Sequence, residues 1–401
     1  MKISELLSHS ITYTTSTVNI ITEAIGREYQ HLEDLLIDQG SRGGIDALRA
    51  LKNIIQNPQS MNVKWDGIAG VFWGRNDKGE FVFAPQNQWN KGQMLTRQGL
   101  SDEIESTGRP KPGQTPQEFA DTRRSMSSKY KRLWDIFEAA TPENFKGYLN
   151  GDLMFSEPPE RTADGDYEFT PNKITYTVKP GGLGGKIDQA KVFVAVHGKI
   201  DEFGVPPTGN LKRISDNAIA QFNRTPDLIV LPIQFPKEPL SDKNSAIIDA
   251  AISYINKNAK SIDNIANFSA PKMTGFKKIL YDYSVKRAKQ AVSFEDWLAG
   301  SKVSDNQKQI LTNSGILGSK DFDIFWTAYN KIADVKHKIW DQLHASHGGE
   351  MQKTLGITAS VGGKPGGEGY AWPASPEQMV KMVNPNFRSA PDNPRFSGAI
   401  A

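Results

Sequence analysis

Lys64 is the residue whose surroundings most suggest chemistry, because it lies in a short apolar run directly ahead of Asp66 and Gly67. Burial lowers the pKa of a lysine, and a neutral amine is a nucleophile. The segment from Lys64 to Gly67 is also typical of a strand that ends in an Asp-Gly turn, with the lysine facing water. These four residues alone leave both interpretations open.

Further polar segments recur along the chain. They are Thr96 to Gly99 with Arg97, Gly151-Asp152, the run around Phe193, Glu368 to Ala371, and Val380-Lys381. Each one alone fits a structural role, such as a turn, a carboxylate at a strand end or a lysine facing water. We therefore weigh them as an ordered set.

The hydrophobic pattern predicts an α+β fold with a helical insertion. Residues 1–58 read as helices, with one run ended by Gly40 and a second over 45–55 after the glycine-rich turn 40–44. Strands are predicted at 63–65, 68–73, 80–83, 145–155, 174–178, 192–196, 228–235 and 379–383, and later helices at 116–140, 247–255, 273–290, 304–315 and 321–346. The glycine-rich stretch 180–186 lacks the spacing of a Walker A motif, so we expect a flexible connection there.

These elements divide the chain into three parts. We expect a helical segment over 1–58 packed on a core, a core formed by 59–240 and 350–401, and a helical module over 241–349. The module is locally basic around Lys277, Lys278 and Lys286. We therefore expect these lysines to be candidates for nucleic-acid contacts.

Composition excludes several classes of protein. The 401 residues contain no cysteine, which excludes disulfides and thiolate chemistry. The net charge of +3 gives no global basic signal, so any anion site is local. The N-terminus has no signal-peptide pattern, and no apolar run reaches the roughly 18 residues of a membrane span. We expect a cytoplasmic protein without membrane association.

Taken in order, the polar segments resemble the motif series of the covalent nucleotidyltransferases, which include ATP-dependent DNA ligases, RNA ligases and mRNA capping enzymes. Lys64 to Gly67 matches the KxDG motif of that superfamily, Thr96 to Gly99 is similar to SRxG, and Glu368 to Ala371 is close to EGxV. Over about 1–200 and 360–401 the chain more narrowly resembles ligase-like proteins of tailed bacteriophages. Such a protein would act in the host cytoplasm.

The resemblance implies a ligase-type core of antiparallel sheets that uses ATP and Mg²⁺ or Mn²⁺. Lys64 would be the nucleophile that forms lysyl-AMP, within a motif completed by Asp66 and Gly67. Lys381 would neutralise the α-phosphate, and Arg97 would lie near the ribose or phosphates. Asp152 would hold the ribose or a metal-bound water, and Glu368 would be a metal-proximal carboxylate. The ring of Phe193 would stack on the base.

The sequence departs from the superfamily pattern at several positions. Asp152 replaces a glutamate, Ala371 a valine and Val383 a lysine, and His197 lies where an acid is common. About 20 residues follow Lys381, so we expect no C-terminal OB-fold. The ordered set still favours a polynucleotide ligase, for RNA more than DNA, with RNA or nicked duplex as partner. The alternatives are a degenerate nucleotide- or nucleic-acid-binding protein, which could be virion-associated, and nucleotidyl transfer to another kind of acceptor.

Overall fold

The computed structural model describes residues 30–57, 61–207, 211–212, 214–232, 240–366, 369–375 and 378–383. Over these residues the fold is α+β, as expected, with three separate sheets and surrounding helices. The strands are β1 Gln30–His31, β2 Asn62–Lys64, β3 Gly70–Arg75, β4 Phe81–Pro85, β5 Gly147–Phe155, β6 Tyr167–Phe169, β7 Ile174–Val178, β8 Val192–Ile200, β9 Leu228–Pro232, β10 Ile357–Val361, β11 Lys364–Pro365, β12 Gly369–Ser375 and β13 Gln378–Val383.

The helices fall into two groups along the chain. Those before residue 221 are α1 Asp34–Gln56, α2 Gln86–Asn90, α3 Arg97–Ser106, α4 Pro116–Ala140, α5 Leu183–Ile187 and α6 Asp216–Ala220. Those after it are α7 Ser245–Lys257, α8 Ala259–Ala266, α9 Phe276–Lys289, α10 Phe294–Gly300, α11 Asp305–Asn313 and α12 Lys320–Leu355.

The central sheet has the strand order β4-β3-β5-β8-β9, antiparallel except for the parallel pair β8–β9. Because successive residues of a strand point to opposite faces, the sheet has two distinct sides. Helices α3 and α4 cover one side, where Trp73, Leu149 and Val194 are buried. The small sheet, β11-β10-β7-β6, packs against the other side through Phe155 and Phe193.

The lysine sheet, named for Lys64 and Lys381, has the order β1-β13-β12-β2. Its first pair is parallel and the others are antiparallel. One of its faces packs against the helical body, which consists of α1 and α7–α12. The helical body therefore forms the support on which the strands of Lys64 and Lys381 rest.

The first helix differs from the sequence-based expectation in two ways. Helix α1 runs across the glycine-rich segment and is only kinked at Gly40, whose φ is 63°. It is sustained there because Ser41 donates to Asp263 from both its backbone nitrogen and its hydroxyl. It also packs with α7, α8 and α12 in one hydrophobic cluster, so it belongs to the helical body rather than to the strands of the central sheet. The helix expected earlier in the chain lies mostly outside the described residues.

Most of the predicted helices and strands are present in the structure, and the differences have physical reasons. Helix α4 has the predicted bounds because Thr115 and Glu118 form a capping box ahead of the first turn. The glycine-rich stretch contains the short helix α5 instead of a flexible connection throughout. Helices α2, α8 and α10 are eight residues or shorter, which is too short for a clear periodic signal.

Candidate functional site

Lys64 and Lys381 lie on the same face of the lysine sheet. Lys64 is paired with Gly369 on β12, and Lys381 is paired with Ala371 on the other side of the same strand. Directly paired residues share a face, and so do residues two apart on a strand. Both lysine side chains are half-buried. The sequence places these lysines more than 300 residues apart, and the register brings them together.

The opposite face of this sheet explains why the lysines cannot exchange sides. Tyr370, Trp372, Val380 and Met382 are buried against the helical body from that face. A slip of one residue would turn these side chains outward and the lysines into the hydrophobic cluster. Burial of the apolar side chains therefore fixes the orientation of Lys64 and Lys381.

The residues after Lys64 anchor this segment to the other two sheets. Trp65 is 1% exposed and packs in an aromatic cluster, with its ring centroid 5.4 Å from that of Tyr176. The backbone nitrogen of Asp66 donates to the hydroxyl of Tyr176 at 2.9 Å. Lys64 is therefore held at the point where the lysine sheet meets the small sheet.

Asp66 is a buried structural carboxylate that is 5% exposed. Its oxygens accept hydrogen bonds from the side chain of Asn172 and from the backbone nitrogens of Lys173 and Ile174. Burial raises the pKa of Asp66, although these donors and the charge of Lys64 act in the opposite direction. With three donors already bound, Asp66 holds the turn before β7 in place, and its oxygens are not presented to a ligand.

Gly67 brings this segment against the strand that carries Asp152. A Cβ atom at Gly67 would lie 2.4 Å from the Cβ of Asp152, which no real side chain tolerates. The neighbouring backbone forms two hydrogen bonds to β5, from Ile68 to Leu153 and from Leu153 to Ala69. Glycine at position 67 is therefore required by close approach.

Asp152 and His197 contact each other on the side of the central sheet opposite α3 and α4. The Nε2 of His197 lies 3.0 Å from the Oδ2 of Asp152, and the two side chains are 10% and 22% exposed. Burial opposes ionisation of Asp152, but the charges of His197 and Lys64 hold its pKa below the ordinary value. Lys64 is thus close enough to act on Asp152 electrostatically.

His197 lies two residues after Ala195, the partner of Asp152, so it shares the face of Asp152 and lies next to a β-bulge. Asn150 pairs with Gly198 while Gly151 pairs with Val196, so the register skips His197. Bulges are common next to functional sites. The local sequence does not predict the contact of His197 with Asp152, because that contact depends on the register of β8 against β5.

The other oxygen of Asp152 faces Gly70. A Cβ atom at Gly70 would lie 3.8 Å from the Oδ1 of Asp152 and 2.8 Å from the Oε1 of Gln86. The absence of a side chain at Gly70 leaves space between these two oxygens. Magnesium is usually held by one or two carboxylates together with water and substrate phosphates. Asp152 fits such a role through Oδ1, while Oδ2 is taken by His197.

Two predicted site residues lie away from this cluster. Phe193 is completely buried, and rings from Trp65, Phe155 and Phe169 surround it. Its ring therefore has no free face for a base, and the stacking role expected for it is not supported. The physical reason is that this part of β8 is buried on both faces, and Phe193 lies on the face that packs against the small sheet.

Arg97 is the second of these residues. It begins helix α3, and its guanidinium forms two hydrogen bonds to Asp135 at 2.6 and 2.7 Å. Helix α3 packs on the side of the central sheet opposite Asp152. The segment from Thr96 to Gly99 is a helix start, with the hydroxyl of Thr96 accepting from the nitrogen of Gly99. The role near the ribose is therefore not supported either.

Glu368 lies outside the described residues. Within the described ranges, no three histidine, aspartate or glutamate side chains are grouped as a metal site would require. The residues brought together are thus Lys64, Lys381 and Asp152, with Asp66 and Gly67 as their support and His197 as an addition.

Comparison with known protein families gives one match. Residues 120–389 match the model of a family of unknown function, DUF6267. The chain belongs to the DUF6267 family. The part matched to DUF6267 includes Asp152, His197 and Lys381, and it begins after Lys64.

Other comparisons gave no relatives. No curated protein and no solved structure matches this DUF6267 chain. Among the described residues, no helix combines the length and apolar character needed to cross a membrane.

Proposed function

We propose that this protein is an ATP-dependent, polynucleotide ligase-like nucleotidyltransferase that acts through a covalent lysyl-AMP at Lys64. The observation that carries the proposal is the shared face of Lys64 and Lys381, with Asp152 within electrostatic reach of Lys64. A nucleophilic amine, a second cation for phosphate and a carboxylate are the groups that attack on an α-phosphate needs.

In the first step the neutral amine of Lys64 attacks the α-phosphorus of ATP. The N–P bond forms, the P–O bond to the leaving pyrophosphate breaks, and the nitrogen loses a proton. AMP then passes to a 5′-phosphate of the nucleic acid, and a 3′-hydroxyl displaces it to seal the strand. RNA is favoured over DNA as the acceptor by the resemblance of the motif series.

The other residues of the site have different roles in the first step. Lys381 lies across β12 from Lys64 and stabilises negative charge on the phosphates. Asp152 would hold Mg²⁺ or Mn²⁺, which neutralises phosphate charge and orients the leaving group. Asp66 and Gly67 position Lys64 by tying its strand to the small and central sheets.

A second candidate function is nucleotide or nucleic-acid binding without transfer. Two observations favour it: the expected base-stacking residue, Phe193, is buried, and one oxygen of Asp152 is engaged by His197. The two functions differ in whether a covalent intermediate forms.

The test incubates the full chain with α-labelled ATP and Mg²⁺ or Mn²⁺, denatures it and measures acid-labile label. We expect label on the wild type and none on Lys64→Ala. Lys364→Ala removes an exposed lysine on β11 and is expected to label like the wild type. Equal labelling of wild type and Lys64→Ala would refute the role of Lys64. Stabilisation by ATP without label would favour the binding function.

A further inference from the structure

A third basic side chain extends the row formed by Lys64 and Lys381. His31 on β1 is the parallel partner of Lys381, and its neighbour Gln30 is the partner of Val380. Val380 is buried against the helical body, so His31 and Lys381 lie on the other face of the sheet. The three residues lie on one face, on β1, β13 and β2, with β12 between the two lysines.

The spacing of this row suits an extended polyanion. Lys64 and Lys381 are two strands and two residues apart, which puts their Cα atoms at about 12 Å. His31 is one further strand away, about 5 Å beyond Lys381. Two lysine side chains that lean toward each other across β12 can therefore contact one phosphate, with His31 next to the phosphates that follow it.

The strand between the two lysines carries small residues on this face. Gly369 and Ala371 are the positions of β12 paired with Lys64 and Lys381. Neither has a side chain long enough to separate the two ammonium groups. The polyphosphate would thus run across the strands, from Lys64 toward β1.

We propose that His31 contacts the terminal phosphates of the bound nucleotide, which makes it a binding residue for the pyrophosphate that leaves. The inference rests on the proposed function for its choice of nucleotide. It assigns a direction to the triphosphate, with the α-phosphate at Lys64 and the terminal phosphates at β1.

The experiment compares the affinities of ATP, AMP and inorganic tripolyphosphate for wild type, His31→Ala and His31→Gln by calorimetry. We expect His31→Ala to weaken ATP and tripolyphosphate binding about tenfold, because a hydrogen bond to a charged group is lost, and to leave AMP binding unchanged. His31→Gln keeps a hydrogen-bond donor, so we expect its affinity for ATP and tripolyphosphate to lie between those of wild type and His31→Ala. His337→Gln, on α12 in the helical body, is the matched control and should bind like wild type.

Two outcomes would overturn the inference separately from the proposed function. A wild type that labels with ATP, combined with an unchanged ratio of ATP to AMP affinity in both His31 variants, would refute the role of His31 alone. Weakened binding of a 5′-phosphorylated oligonucleotide, with ATP binding unchanged, would refute the nucleotide as its ligand. A wild type that neither labels nor binds ATP or tripolyphosphate would refute both. Thermal melting of each variant shows whether it is folded.

Discussion

Asp66 and Asp152 both lie near Lys64, but their surroundings move their pKa values in opposite directions. Burial raises the pKa of Asp66, and the charges of His197 and Lys64 lower that of Asp152 against its burial. The ionised form of Asp152 therefore stabilises the fold above the ordinary carboxyl pKa, and this stability is lost as pH falls through the folded pKa. For Asp66 the dependence of stability on pH has the opposite sign, because protonation relieves the cost of burying its charge.

This reversal predicts how an Asp66→Asn variant responds to pH. Because the folded state binds a proton more tightly at Asp66, wild type gains stability relative to Asp66→Asn as pH falls from neutral toward the ordinary carboxyl pKa of about 4. The measurement is urea unfolding of both proteins across that range. A free-energy difference that stays constant with pH would show that Asp66 has its ordinary pKa.

The hydrogen bonds of Asp66 predict a larger effect for alanine. Asp66→Ala leaves the donors at Asn172, Lys173 and Ile174 without their acceptor, and we expect a loss of about 2–4 kcal/mol in the free energy of unfolding. Asp66→Asn keeps an acceptor and should cost less. Equal losses of unfolding free energy in Asp66→Ala and Asp66→Asn would contradict the view that these hydrogen bonds contribute more to stability than the charge does.

At the scale of elements, the position of Asp152 depends on the close contact between Gly67 and β5. We expect Gly67→Ala to displace Asp152, cost about 1–3 kcal/mol and reduce nucleotide labelling about tenfold or more. Unfolding and labelling are measured on the same preparation. Gly185→Ala is the control, because a methyl group there meets no atom within 4 Å among the described residues. Unchanged labelling in Gly67→Ala would show that the contact does not position the site.

Some elements of the fold can be predicted from local sequence patterns, and others cannot. The periodicity of the strand segments and the capping box at Thr115 are local signals, and the corresponding elements are present. The ordered motifs selected Lys64, Asp152 and Lys381; the fold places the two lysines on one face and Asp152 near Lys64, and their role as a site stays a prediction. The bulge at His197 and the burial of Phe193 depend on neighbouring strands and the small sheet, which no local pattern encodes.

At the scale of the whole molecule, the helical body supports the lysine sheet from one side and carries a cleft of about 840 Å³ on another part of its surface. Lys278, Lys286, Lys302 and Trp297 line this cleft together with Asp282 and Asp296, and Lys278 pairs with Asp282 at 2.6 Å. Lysines combined with an aromatic ring are typical of sites for single-stranded nucleic acid. The cleft is therefore our candidate for the acceptor strand.

The lysines expected to contact nucleic acid differ in role, because one supports helix packing and the others line the cleft. The Nζ of Lys277 donates to the backbone oxygen of Asp38, so this residue supports the packing of α9 on α1. We expect the double variant Lys278→Ala and Lys286→Ala to weaken RNA binding and reduce its dependence on salt, because fewer counterions are released. Lys277→Ala should change stability more than binding. Binding isotherms at several salt concentrations test this, and unchanged binding in the double variant would remove the cleft from the acceptor site.

The role proposed for Lys64 as the residue that carries the nucleotide is tested by locating the adduct on the native chain. After incubation with ATP and Mg²⁺ or Mn²⁺, the protein is digested under conditions that preserve a phosphoramide, and the peptides are analysed by mass spectrometry. We predict one AMP, attached to the side-chain nitrogen of Lys64. An adduct on another residue such as Lys381, or none with any of the four nucleoside triphosphates or NAD⁺, would contradict the account.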